Sequence, residues 1–139
     1  MKPDISAKRL KRDKDQSDPF LDESQSGADL EYILEWVRLG ASHARKSATC
    51  VRKHREILKA KGETEERLRE LDHWRESMAF TERGKAALSL SESISLKQPK
   101  KISQSVLKEA HRHLSTSEMI RLTLAVMAVN DWIDLHPDT

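Results

Sequence analysis

From Asp29 onward the apolar residues recur every three or four positions, and nowhere in the chain do they alternate with period two. Leu30, Ile33, Leu34, Val37, Ala41 and Ala44 draw one stripe down a helix. Strand pairing needs the alternation that is missing here, so the fold class is all-α. Val51, Ile57 and Leu58 give a second short stripe ending at Gly62, a C-terminal cap in the left-handed region. Thr64 caps a third helix, with Glu65 and Glu66 at the positive end of its dipole and Leu68, Leu71, Trp74 and Met78 inward. Thr81 and Glu82 open a fourth, with Ala87, Leu90 and Ile94 inward, and Pro99 breaks the pattern that follows. Val106, Leu107, Ala110 and Leu114 form a fifth. Ser115 and Glu118 have capping-box spacing ahead of "EMIRLTLAVMAVNDWIDL", which is apolar on nearly every side. This last helix is expected at the centre of the core or at a subunit interface.

Size and charge narrow the function. At 139 residues, 37% hydrophobic and 35% charged, the chain has material for one domain with much solvated surface, or for one that hides more area by self-association. A homo-oligomer is therefore expected. A net charge of +2 is too near balance to indicate nucleic-acid binding. A single cysteine forms no internal disulfide, and no apolar leader opens the chain, so the expected compartment is a reducing cytoplasm. No apolar run reaches the ~18 residues a bilayer crossing needs. Residues 1–28 read as a polar, disordered tail in which "KRLKR" is a solvated cluster and Phe20 and Leu21 dock locally, leaving 29–139 as the helical domain.

The lone sulfur lies in "KSATCVRKH". With Ser47 as N-cap of the second helix, Cys50 falls in the first turn, where unpaired N–H groups and the dipole favour a thiolate. His54 follows one turn later on the same face, near enough to exchange a proton with the sulfur, and Arg52 and Lys53 add positive field. Glu35 would be about 22 Å away on one unbroken helix. A reversal around residues 42–46 would instead set its carboxylate opposite the sulfur and complete a proton relay.

Glu35, eleven residues, then Ser47-Ala-Thr-Cys50-Val-Arg-Lys-His54 resembles the motif of the alkylhydroperoxidase D branch of the carboxymuconolactone decarboxylase family, in which a Glu precedes Cys-x-x-Cys-x-x-x-His. The likeness continues through "KAKGETEERLRELDHWRE", "FTERGKAALSLSESIS" and "SEMIRLTLAVMAVNDW", covering roughly residues 29 to 135. It implies an AhpD-like domain of about six helices with a helical hairpin carrying the thiol motif. It also implies hydroperoxide reduction supported by a thiol, with Cys50 as reactive sulfur, His54 and Glu35 moving protons, and no metal or cofactor. Ser47 takes the place of the first cysteine and forms no disulfide, so a sulfenic acid on Cys50 would need an external or intersubunit thiol. Lys46 stands where the branch usually has glycine, and the polar tail replaces a longer helical N-terminal part. The alternative is a non-catalytic oligomeric scaffold that has lost its redox pair.

Other candidates carry less. His111 and His113 sit two apart on different sides of a helix, His136 is remote, and His43 and His73 read as surface or partly packed residues. Trp36, Trp74 and Trp132 read as core or interface anchors, with Trp36 next to Glu35 at a pocket wall, and the methionines as core filling. No glycine-rich phosphate loop or nucleophile elbow is present.

Overall fold

The computed structural model describes residues 19–96 and 101–137, with backbone alone over 19–29. Among the described residues six α-helices follow one another: α1 Pro19–Ala44, α2 Ala48–Ala60, α3 Glu65–Arg69, α4 Glu82–Leu96, α5 Gln104–His113 and α6 Thr116–Leu135. A 3₁₀ turn, Glu70–His73, extends α3, and no strand occurs among the described residues.

α1 begins ten residues ahead of the expected start at Asp29. Proline at the first helical position lacks only an N–H that would be unpaired there, and its φ already suits a helix. Apolar spacing reports packing rather than helicity, so a polar helical stretch leaves no stripe to read. The remainder of the expected tail, residues 1–18, lies outside the described residues, as does the Pro99 break.

The centre of the core is α1, not the last helix. Ile33, Trp36, Val37, Leu39 and Ala41 have no exposed surface, and the helix packs against α2, α4 and α6. α6 buries one face through Leu122, Val126, Val129 and Ile133 and turns the other outward. Its capping box is complete: Ser115 Oγ accepts from the Glu118 N–H at 3.1 Å, and Glu118 Oε1 accepts from the Ser115 N–H at 2.9 Å.

The third helix is shorter than expected. It tightens to 3₁₀ geometry and ends at His73, and in the loop beyond it the Ser77 hydroxyl donates to Glu70 Oε1 at 2.7 Å and accepts the Ala79 N–H at 2.9 Å. Met78, expected inside, is almost fully exposed. Phe80 enters the core instead and meets Trp36 edge-on, centroids 5.1 Å apart. Trp36 is thus a core residue.

Gly62 is the left-handed cap expected. At φ 103° it lets its N–H reach the Lys59 carbonyl and the Glu63 N–H reach the Leu58 carbonyl, closing α2.

Candidate active site

The reversal between α1 and α2 has the same construction with a different residue. The Lys46 N–H bonds the His43 carbonyl at 3.0 Å and the Ser47 N–H bonds the Ser42 carbonyl at 3.1 Å, with Lys46 itself at φ 57°. A side chain in that conformation costs roughly 1–2 kcal/mol that glycine avoids. Lys46→Gly should therefore raise stability by about 1 kcal/mol, a melting temperature gain of roughly 4 °C by calorimetry, while Lys46→Val should lower it.

Ser47 then caps α2, accepting the Cys50 N–H on its hydroxyl at 3.2 Å. The inward face of α2 is Cys50, His54 and Leu58, one per turn, rather than the stripe of Val51, Ile57 and Leu58 read from the sequence. A histidine counted as polar hides this stripe. Cys50 is 2% exposed and belongs to the apolar cluster. Arg52 and Lys53, expected to bias the sulfur, are exposed, and Lys53 Nζ lies 5.6 Å above the Trp132 ring.

Because the hairpin is antiparallel, Glu35 on α1 comes to face His54 on α2. Its Oε1 lies 3.9 Å from His54 Nδ1, an ion-pair separation rather than a hydrogen bond. Both atoms are buried without a hydrogen-bond partner. The other oxygen, Oε2, accepts from Arg38 Nη1 at 2.8 Å. The imidazole facing Glu35 holds its carboxyl below the usual carboxylate range. Burial opposes this, and Arg38 reinforces it. A depressed carboxylate contributes stability above the ordinary range and loses it as pH falls through its lowered folded value. Arg38 is the site residue that the sequence analysis missed, and its i, i+3 spacing from Glu35 was the available signal.

Two clefts flank the hairpin. One, of about 320 Å³, opens beside Ser47 and is bounded by Arg45, Lys46, Ile133 and Asp134. Arg45 spans it, donating to Asn130 Oδ1 at 3.1 Å and pairing with Asp134. The other, of about 350 Å³, lies between Gly40, His43, Leu71, Trp74 and Leu88. His43 is pushed down by burial against the opposing pull of Asp72. His113 bonds Glu109 at 3.1 Å and His136 stacks on Trp132, and no cluster of three metal-ligating side chains exists among the described residues. No helix among them is long and apolar enough to cross a membrane.

Of the residues singled out in the sequence, Glu35, Ser47, Cys50 and His54 all lie on this hairpin. The sequence signature of the carboxymuconolactone decarboxylase family matches residues 34–93, which contain all four. The uncharacterized protein YdfG of Bacillus subtilis (strain 168) is 29% identical over 98 residues, 70% of this chain and 67% of that one. A crystal structure from Agrobacterium tumefaciens, described as a protein of unknown function and a candidate AhpD of antioxidant defence, superposes with a TM-score of 0.71. It shares 24% identity, over 76% of this chain and 72% of that one, which speaks to the fold. With the thiol hairpin inside the matched segment and the helical architecture shared, residues 34–93 are similar to the carboxymuconolactone decarboxylase family and the chain has the AhpD-like fold.

Proposed function

We propose that the protein reduces or senses hydroperoxides through Cys50 alone, in an antioxidant role, with a resolving thiol supplied from outside the chain or by another copy of it. The Cys50 sulfur, its proton passed to His54, attacks the terminal oxygen of R–O–O–H. An S–O bond forms, the O–O bond breaks, and the alkoxide leaves as the alcohol with the proton returned by the imidazole. Glu35, anionic across the hairpin, balances the imidazolium while it carries that proton. A thiol then condenses with the sulfenic acid, releasing water and leaving a mixed disulfide. A second thiol frees Cys50, so one hydroperoxide and two thiols give one alcohol, one water and one disulfide.

One observation carries this reading. A carboxylate oxygen and an imidazole nitrogen are buried facing each other with no hydrogen bond, and the imidazole stands one turn after Cys50 on the same helix face. Burying these two atoms without hydrogen bonds has a desolvation cost that their attraction only partly offsets, and a chain kept only for its shape would gain by filling both positions with apolar side chains. The depth of Cys50 favours the second reading, a non-catalytic scaffold, because a sulfur 2% exposed must be uncovered before it reacts.

The deciding measurement is consumption of an alkyl hydroperoxide with a small monothiol as reductant. The parent should turn over, Cys50→Ser should fall to background, and His54→Ala and Glu35→Gln should each lose about 10²-fold. A folded parent that consumes no peroxide with any monothiol establishes the scaffold instead.

A further inference from the structure

The cleft of about 350 Å³ at the end of α1 is separate from the thiol hairpin's polar groups, since none of Glu35, Cys50 and His54 lines it. Gly40 and Ala44, small residues one turn apart on α1, leave room for it. A Cβ at Gly40 would come within 3.0 Å of Leu88 Cδ2, so α1 and α4 meet at this edge of the cleft. Buried Leu71 and Leu88 and half-buried Trp74 supply apolar walls. An apolar hollow with a few polar groups converging on it is the usual form of a small-molecule site.

Those polar groups favour one kind of ligand. Asp72, Glu76 and Glu92 bring three carboxylates against one guanidinium, Arg75. Arg75 is engaged already: it pairs with Glu92 and lies 4.2 Å from the centre of the Trp74 ring. A cation of the chain itself thus uses the aromatic face and carboxylate of this rim, and exposed Asp72 and Glu76 keep the rim negative. His43 supplies an acceptor. Burial holds its imidazole below the ordinary histidine range, with Asp72 pulling the other way and Arg55 adding to the lowering, so the ring is neutral at neutral pH. Its Nε2 is buried with no hydrogen-bond partner, which costs stability until a donor arrives. The torsion that turns a histidine ring is soft, and a donor in the cleft can draw Nε2 towards it.

We propose that this cleft binds a small primary amine with an aromatic or apolar body, its ammonium held between the His43 imidazole and the Asp72 carboxylate and its body along Leu71, Leu88 and Trp74. An ammonium has three N–H donors, enough for both partners, whereas an anion is repelled by Asp72 and Glu76.

The test is a nuclear magnetic resonance titration of the isotope-labelled protein with phenethylamine, and it is independent of any thiol chemistry. The amine should give saturable shifts at Gly40, Ala44 and the Trp74 indole with a Kd of about 1 mM or tighter. Phenethyl alcohol, of the same shape without the charge, should bind about tenfold more weakly, and phenylpropionate should show no binding at about 10 mM. His43→Phe, which keeps a ring but loses the acceptor, should weaken the amine about tenfold, and Asp72→Asn about threefold. Asp72 is exposed, so its variant keeps the fold and decides the matter should His43→Phe not fold. Absence of saturable shifts, shifts confined to another part of the molecule, equal affinity for the alcohol, or an affinity unchanged in Asp72→Asn would each overturn the proposal.

Discussion

Arg83→Met is expected to remove about 3–5 kcal/mol of unfolding free energy in urea titrations, a large part of what a domain of this size possesses. Arg83, in the first turn of α4, grips Glu118, in the first turn of α6, with two parallel hydrogen bonds of 3.2 and 3.0 Å. The side chains are 11% and 9% exposed, so neither charge has water to fall back on. The same guanidinium donates to the His113 carbonyl at the end of α5, and one side chain thereby ties three helix ends together. A buried pair of this kind contributes little over an apolar substitute, but cutting it in half strands the remaining carboxylate. Glu118→Gln should cost less, since an amide still accepts the Ser115 N–H and one Arg83 bond. Arg83→Lys should rescue only part of the loss because an ammonium cannot reproduce the fork. A loss below about 1 kcal/mol in Arg83→Met would mean that water reaches the pair.

Ser47→Cys should produce the largest change in chemistry. Residues three apart in the first turn of a helix lie close enough for a disulfide, and the substitution supplies the sulfur that the family motif carries there. On the proposed function, peroxide should convert two free thiols per chain to none, counted by alkylation and mass. Decay of the Cys50 sulfenic acid should speed by about 10²-fold or more, because the resolving thiol is no longer a second molecule. The dependence on monothiol concentration should vanish and a dithiol should become the better reductant. The variant should be about 1 kcal/mol less stable, because sulfur is a poorer acceptor than the Ser47 hydroxyl for the Cys50 N–H. If peroxide leaves both thiols free, the position has not been a matter of one missing atom.

Much of this arrangement was legible in the sequence. The caps at Ser47, Thr64 and Ser115 declare themselves by residue type and spacing, and each is present with its side-chain hydrogen bond. The hairpin that joins Glu35 to His54 was legible only as a condition, because Lys46 is a poor residue for the left-handed position that makes the reversal. Neighbouring carbonyls at residues 42 and 43 impose that conformation, and composition does not record them. The extent of α1 was hidden because its first turns carry no apolar stripe. Met78 was misplaced because the helical turn ends at His73, before the period can bring residue 78 inward. The inward stripe of α2 escaped because two of its three members, a thiol and an imidazole, are not what a search for hydrocarbon finds.

α1 is held from several sides, whereas α2 leans chiefly on α1 and is tethered elsewhere by surface pairs such as Lys59 with Glu65. The segment bearing the sulfur therefore has fewer helical neighbours to hold it than α1 has. With Cys50 2% exposed, reaction of the thiol requires a local opening, and the side with the fewest neighbours is where such an opening is least costly.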